Sequence, residues 1–278
     1  SEWGDYDGDG DLDLVVTGFD GSNRTAKIYE NEGGGMFTDI GAGLAGVNKS
    51  SSAWGDYDGD GDLDLVVTGN DASSNETTTI YRNDGGDTFA DISAGLTGVG
   101  GGSSSWGDYD GDGDLDLVVT GFNASNNKTA TIYENDVENN NGFSSIGAGL
   151  TGVSLSSSTW GDYDGDGDLD LVVTGTDENS DGIATIYENV VPPSIAVDQG
   201  GTSIGDGDPF DAGTTPPGTD LTTSFTVSNT GAADLEITSA SVSNTDFFNV
   251  TPSTATIPSG GDETFDVTLD GTNTGTES

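Results

Sequence analysis

The chain has 278 residues, of which 50 are acidic and 5 are basic, so its formal net charge is −45. It contains no cysteine and no histidine, which excludes disulfides, thiolate metal sites and every catalytic arrangement that needs a histidine base. Such a charge repels nucleic acid and anionic lipid, so neither is expected as a partner, and no apolar run has the length of a membrane span.

The first distinctive segment is an acidic loop. Residues 5–13 read Asp-Tyr-Asp-Gly-Asp-Gly-Asp-Leu-Asp, and the same sequence returns from Asp56, Asp108 and Asp162. Two like charges about 4 Å apart repel by about 1 kcal/mol in water and by about 4 kcal/mol near a protein surface. Crowded carboxylates therefore need shifted pKa values or a bound cation, and a hard cation that prefers oxygen is the natural occupant. We predict calcium.

The spacing within the loop supports this prediction. Counting Asp5 as position 1, carboxylates fall at positions 1, 3, 5 and 9, with a glycine at position 6, where a calcium loop turns sharply. The position-7 aspartate would offer its backbone carbonyl while its side chain faces water, and Leu12 would anchor the loop in the core. An EF-hand needs a glutamate at position 12, but Val16 stands there in a β-branched run. The loop therefore leads into a strand; a solvated acidic turn is the alternative.

An internal repeat starts at each of four tryptophans, Trp3, Trp54, Trp106 and Trp160. The units cover residues 3–53, 54–105, 106–159 and 160–189. Each full unit contains four predicted strands, which in the first unit are residues 12–18, 25–30, 37–40 and the serine-rich 50–53. Four short strands in ~50 residues, punctuated by glycine and without a helical period, predict an all-β fold of β-propeller blades. The tryptophans are interpreted as packing residues between blades, with sugar stacking as the alternative.

The motif Trp-Gly-Asp-Tyr-Asp-Gly-Asp-Gly-Asp-Leu-Asp-Leu-Val-Val-Thr-Gly, followed by Ile-Tyr-Glu-Asn and Gly-x-Phe, resembles the FG-GAP/VCBS repeat of integrin-α-like propellers. The resemblance covers residues 1–189 and implies a calcium-stabilised β-propeller with about four Ca²⁺, one in each repeat. The family's rings usually have more blades than the four repeats counted here. The ligands implied by the resemblance are Asp5, Asp7, Asp9, Asp11 and Asp13, with position 7 contributing its backbone; Asp56, Asp58, Asp60, Asp62 and Asp64; Asp108, Asp110, Asp112, Asp114 and Asp116; and Asp162, Asp164, Asp166, Asp168 and Asp170.

The composition changes after the fourth repeat. Residues 190–193 read Val-Val-Pro-Pro and are predicted to form a linker, since proline cannot donate to a β-ladder. Residues 194–278 lack tryptophan and tyrosine and contain alternating segments at 221–228, 235–242 and 263–269, which predict a β-sandwich. This part resembles the immunoglobulin-like modules of the ASH/Hydin type.

These features favour a protein without catalytic activity. A calcium ion saturated by protein oxygens leaves no position for a substrate, and the chain offers few cationic groups to stabilise an anion. The first hypothesis is a calcium-stabilised structural building block of an extracellular surface layer or filament. The alternative is an adhesion module that presents a glycan-binding or protein-binding surface, although the loops are mostly Ser, Asn, Asp and Gly.

The ends of the repeat region carry a further expectation. We expect no strand before Trp3, and we expect the fourth repeat to lack both its Phe-x-x-Ile strand and its serine-rich strand. The C-terminal module is expected to lack a strand as well. Unpaired edges are templates for pairing, so either the chain is a fragment of a longer protein, or neighbouring subunits supply strands and the protein self-associates.

Overall fold

The computed structural model describes residues 1–136, 142–165, 167–189, 195–205, 216, 218–231, 234–242 and 248–270. Every regular secondary-structure element among these residues is a β-strand, which confirms the predicted all-β class. No helix in this part of the chain is long and apolar enough to cross a membrane. Two compact units make up the protein, one of residues 1–163 and 169–189 and one of residues 164–168 and 190–278.

The first sheet of the first unit is antiparallel, and its strands pair in chain order. It consists of β1 (Glu2–Gly4), β2 (Asp13–Phe19), β3 (Arg24–Asn31) and β4 (Phe37–Asp39). The expectation that no strand precedes Trp3 is wrong, because Trp3 lies opposite Leu14 in a three-residue strand. Three extended residues are enough to pair with the start of β2.

The second and third sheets repeat this order. Their strands are β5 (Asn48–Gly55), β6 (Asp64–Asn70), β7 (Glu76–Asn83) and β8 (Phe89–Asp91), then β9 (Val99–Gly100), then β10 (Ser104–Gly107), β11 (Asp116–Asn123), β12 (Lys128–Asp136) and β13 (Gly142–Ser145). The short strand β9 pairs with both β7 and β11 and so joins the two sheets.

The fourth sheet has three strands among the described residues, β14 (Ser154–Gly161), β15 (Asp170–Thr176) and β16 (Gly182–Tyr187). The serine-rich strand β14, predicted as the last strand of the third repeat, is confirmed, although it pairs within this fourth sheet. The two strands that the fourth repeat is expected to lack would follow residue 189, and residues 190–194 lie outside the described part of the chain. In every sheet the strand before the acidic loop pairs with the strand after it; Ala53, for example, lies opposite Val66. The reason is that the loop is a hairpin, which makes the two flanking strands neighbours. Each sheet therefore begins before its tryptophan.

The apolar core of this unit lies between successive sheets. Along β6, Leu65 and Val67 pack with residues of the first sheet, whereas Val66 packs with residues of the third. Both faces of the second sheet are therefore covered, which explains the continuous Leu-Val-Val run in place of an alternation of polar and apolar residues. Fully burying a side chain of this size contributes about 1.5–3 kcal/mol.

The Trp-Gly pair forms a close contact between sheets. A Cβ atom built on Gly55 would lie 2.7 Å from Cδ1 of Trp106, and one built on Gly107 would lie 2.6 Å from Cδ1 of Trp160. Each glycine therefore leaves room for the next tryptophan. The indole Nε1 of Trp106 also donates a hydrogen bond to the carbonyl of Ala53 at 3.2 Å. These contacts place the tryptophans in the packing between sheets.

The first sheet differs, because among the described residues only the second sheet is seen to pack against it. Trp3 is 54% exposed and Leu12 is 55% exposed. The expectation that Leu12 anchors its loop in the core is therefore wrong. The corresponding Leu63 does pack against the cluster that includes the first sheet.

We expect Gly107→Ala to lower the free energy of unfolding by about 1–3 kcal/mol, the usual cost of overpacking, because the added Cβ overlaps the ring of Trp160. Gly161→Ala is a matched control: Gly161 also follows a tryptophan, but no heavy atom lies within 4 Å of its added Cβ. Urea denaturation measures both. Equal losses for the two variants would contradict the proposed packing role of the glycine.

The second unit contains a five-stranded sheet of order β18-β17-β19-β23-β21 and the pair β20-β22. The strands are β17 (Ile195–Gln199), β18 (Thr202–Ser203), β19 (Leu221–Asn229), β20 (Leu235–Ile237), β21 (Phe248–Thr251), β22 (Ala255–Ile257) and β23 (Asp262–Leu269). Val227 and Phe265 from the larger sheet and Ile257 from the pair form a shared core.

Two of the three strands predicted for this unit are confirmed, at residues 221–228 and 263–269. The third, predicted at 235–242, ends at Ile237. Small and hydroxylated side chains follow, and the backbone N–H of Ala240 instead donates to the carbonyl of Ser253. The predicted linker at 190–193 lies outside the described residues.

Candidate metal centre

Each acidic loop is the hairpin between the first two strands of a sheet. In the first loop Gly8 and Gly10 have φ angles of 71° and 94°, which lie in the left-handed region that glycine adopts without strain. The same two positions are left-handed in the other three loops. The predicted sharp turn at position 6 is confirmed.

Carboxylates at positions 1, 3 and 9 come together in each loop. One carboxylate oxygen from each residue lies within 4.8 Å of the others, a separation at which a single ion can be shared. Position 5 lies outside these groups, so its role as a ligand stays a prediction. The groups are Asp5, Asp7 and Asp13; Asp56, Asp58 and Asp64; Asp108, Asp110 and Asp116; and Asp162, Asp164 and Asp170.

The position-9 aspartate is buried and held at both oxygens. Asp64 is fully buried. Its Oδ2 accepts a hydrogen bond from the backbone N–H of Tyr57 at 3.1 Å, and its Oδ1 accepts one from the backbone N–H of Asn83 at 2.8 Å. The same pair of contacts recurs at Asp13, Asp116 and Asp170. This residue therefore joins the loop to the third strand of its sheet.

The position-1 aspartate shapes the turn. Oδ1 of Asp56 accepts from the backbone N–H of Asp60 at 3.1 Å, and Oδ2 accepts from that of Gly61 at 3.0 Å. Position 5 supports the next residue, since Oδ1 of Asp60 accepts from the backbone N–H of Asp62 at 3.0 Å. Asp9 and Asp112 do the same in the first and third loops.

Position 7 varies between loops. The side chains of Asp11 and Asp62 are exposed, as expected for residues that would offer only a backbone carbonyl. Asp114 is partly buried and Asp168 is buried, so the expectation of a side chain facing water is not general. Asp166, the position-5 residue of the fourth loop, lies outside the described residues.

Three carboxylate oxygens in these groups fit a cation. Oδ1 of Asp5, Asp58 and Asp110 is buried in each case and has no hydrogen-bond partner. A buried acceptor without a donor is costly, and no lysine or arginine among the described residues forms an ion pair with an aspartate of the first three loops. A hard cation such as Ca²⁺ would supply the missing contact and offset the crowded charge.

Burial also raises the pKa values of these carboxyls. It brings the pKa of Asp64 and of Asp116 to about 7, and neighbouring aspartates add to the increase, while backbone N–H groups oppose it. Burial likewise raises the pKa of Asp58 and of Asp110. In the calcium-free folded protein Asp64 and Asp116 therefore hold a proton below about pH 7.

An asparagine that the sequence interpretation did not assign connects neighbouring loops. The side-chain amide of Asn83 donates to the backbone carbonyl of Leu63 in its own loop at 3.3 Å and to that of Tyr6 in the preceding loop at 2.9 Å. Asn135 makes the same contacts with Leu115 and Tyr57. The recurrence of Asn after Ile-Tyr in every repeat is the signal that would have indicated this role.

We expect opposite pH dependences with and without calcium. Between pH about 4 and about 7 the calcium-free folded state binds more protons than the unfolded chain, because the pKa of Asp64 is raised from an ordinary value of about 3.9. Its stability should therefore fall as pH rises through this interval. The stabilisation added by calcium should instead increase, since the cation needs ionised carboxylates. Thermal melts at several pH values with calcium or chelator test both trends; parallel trends would contradict the assignment.

We expect Asp58→Ala to weaken calcium binding by roughly tenfold or more, because ligand charge tunes the affinity of such sites and Oδ1 of Asp58 is buried without a partner. Asp62→Ala should have a small effect, because the substitution keeps the backbone carbonyl and removes only an exposed side chain. Titration calorimetry compares the two. Equal losses would show that the position-7 assignment is wrong.

Comparison with known families agrees with this arrangement. A model of the FG-GAP-like repeat matches residues 5–67, 56–119 and 108–173, and each match runs from one acidic loop through the next. Together these matches cover more than half of the chain. A model described as a HYDIN/CFA65/VesB-like, Ig-like domain matches residues 206–278. No curated protein matches the chain.

Proposed function

Because the chain belongs to the family of FG-GAP-like repeat proteins and carries an Ig-like domain, we propose that it is a non-enzymatic, calcium-stabilised building block. It would form part of a surface layer or a filament, either outside the cell or on the cell surface. The four stacked sheets would act as β-propeller blades, and copies would join through strand edges.

The observation that carries this proposal is the group of carboxylates with a buried, unpartnered oxygen in each of the first three loops. When bound, a calcium ion would neutralise part of the loop charge and link carboxylates that otherwise repel. Extracellular calcium modules operate at about 10⁻⁴–10⁻³ M, a concentration that suits an outside location.

The hydrogen bonds between loops explain how such an ion would act beyond its own loop. Asp64 fixes the backbone of Asn83, and the amide of Asn83 holds the carbonyl of Tyr6 in the preceding loop. The hydroxyl of Tyr6 in turn donates to Asp87 of the second sheet at 2.7 Å. Ordering one loop would therefore stiffen the contact between two sheets, a property that suits a load-bearing component.

A cleft beside the hairpin that joins β2 to β3 favours adhesion as the second candidate function. Its volume is about 450 Å³, and it is lined by Phe19, Asn23, Arg24 and Asn48. Phe19 is 60% exposed, and an exposed aromatic ring is a suitable surface for a sugar or a peptide. Arg24, however, is already engaged by Asn48 and Ser74.

Imaging separates the two functions. Electron microscopy of the purified chain in millimolar calcium should show ordered assemblies, and a chelator should disperse them. Magnesium at the same concentration is the control for simple charge screening. Single particles in both calcium and chelator, together with binding to a glycan or protein array, would favour adhesion and contradict the building-block function.

A further inference from the structure

A cavity of about 350 Å³ lies between the third and fourth sheets. Its wall is mostly apolar and includes Tyr109, Ile146, Leu150, Trp160 and Leu171. All of these residues belong to the first unit. A cavity of this size beside an aromatic pair is unusual in a region where successive sheets otherwise pack closely.

The equivalent space is filled at the two preceding interfaces. Phe89 lies with its ring centroid 5.7 Å from that of Tyr6 and 6.1 Å from that of Trp54. Phe143 occupies the same position between Tyr57 and Trp106, at 5.7 Å and 5.8 Å. Each of these phenylalanines is 9% exposed.

Tyr109 and Trp160 are the corresponding pair at the third interface, and no phenylalanine of the described residues lies between them. The cavity therefore has the position and the aromatic walls of a phenylalanine site.

The edge beside the cavity matches this interpretation. In the second sheet the phenylalanine is carried by the outer strand β8, with Phe89 opposite Asn83 and Asp91 opposite Tyr81. Strand β8 pairs with β7, and the strand of the fourth sheet that corresponds to β7 is β16, which pairs only with β15 among the described residues. Tyr187 and Asn189 line the cavity at this edge. A strand that paired along β16 could therefore place an aromatic side chain in the cavity, which we call the slot.

We propose that this slot binds an extended Phe-x-x-Ile segment of a partner chain by β-augmentation. The phenylalanine would lie between Tyr109 and Trp160, and its backbone would pair along β16. A segment without acidic residues fits best, because Glu188 lines the cavity and the whole chain is strongly negative. This inference rests on the proposed function, since it identifies one edge through which the building block would be joined.

The probe is a capped peptide with the sequence of residues 142–147, Gly-Phe-Ser-Ser-Ile-Gly, which is uncharged and fills the equivalent space at the preceding interface. It is titrated into the full calcium-loaded chain, and binding is followed by the NMR signal of the Trp160 indole N–H, assigned with Trp160→Phe. The control peptide has alanine in place of phenylalanine. The control protein is Ala148→Trp, since Ala148 is exposed and lines the cavity, so a large side chain there fills the slot.

We expect saturable binding of the first peptide, with the alanine peptide and the Ala148→Trp protein at least about tenfold weaker, as loss of a buried aromatic side chain implies. Equal binding of the two peptides would overturn the proposal. Absence of binding by either peptide would also overturn it, and this is the result expected if the chain's own residues beyond Asn189 occupy the slot. Light scattering on the same samples keeps the two proposals apart. Peptide binding by a chain that stays monomeric in calcium supports the slot and contradicts self-assembly.

Discussion

Chelation of calcium should lower the melting temperature steeply. At about 10 mM calcium and sites of about 10⁻⁴ M, each site would stabilise the native state by about 2.7 kcal/mol if only that state binds. With four carboxylate groups, the combined effect rivals the whole stability of a typical domain, about 5–15 kcal/mol. We expect a large shift because the same loops also hold neighbouring sheets together through Asn83 and Asn135.

Ionic strength provides the control for this experiment. A chain with a net charge of −45 is stabilised by any salt that screens its repulsion. The melt is therefore recorded in chelator at low salt, in chelator with about 0.15 M NaCl, and in calcium. Specific sites predict that sodium recovers little of the lost stability. Full recovery by sodium alone would mean that screening, not site binding, is responsible.

Asp64→Ala should destabilise the protein even without calcium. It removes the acceptor of two backbone N–H groups, those of Tyr57 and Asn83, in a place where the carboxylate is fully buried. A buried donor left without a partner costs about 1–3 kcal/mol, so we expect a loss of several kcal/mol in urea denaturation. The measurement is made in chelator at pH 6, below the raised pKa of about 7, so relief of a buried negative charge contributes little.

Asp58→Ala is the matched comparison in the same loop. Oδ1 of Asp58 is buried without a partner, so its removal should cost little in chelator and should reduce stability only when calcium is present. Asp64 therefore combines a structural role with a ligand role, whereas Asp58 is mainly a ligand. Similar losses for both variants in chelator would contradict this division of roles.

The strands after each loop could be predicted from the sequence because the apolar Leu-Val-Val run is a local signal. The strands end one or two residues beyond the glycine that was expected to stop them. The sequence also indicated the carboxylates that converge, since their spacing is set by the loop itself. Pairing partners were harder to predict. The serine-rich strand belongs to the end of one repeat but pairs with a strand of the next, as Ala53 opposite Val66 shows. This pairing can be predicted only when the acidic loop is treated as a hairpin turn.

Contacts between repeats were the least predictable feature. Leu12 is exposed whereas Leu63 is partly buried between two sheets, although the local sequences around them are identical. Only the presence of a neighbouring sheet distinguishes the two leucines. The same applies to Asn83, whose amide reaches a loop 77 residues earlier in the chain. No local pattern predicts such a partner, although the recurrence of the asparagine marks it as worth attention.

A direct count of bound ions tests whether the carboxylate groups are specific calcium sites. Equilibrium dialysis against calcium in about 0.15 M NaCl, where unspecific attraction to the acidic surface is screened, should give about four ions per chain. Asp58→Ala should lower the count by about half an ion or more at about 1 mM free calcium, where a site weakened tenfold from about 10⁻⁴ M is about half empty. Fewer than one ion bound, or a count that Asp58→Ala leaves unchanged, would contradict specific calcium binding by the carboxylate groups.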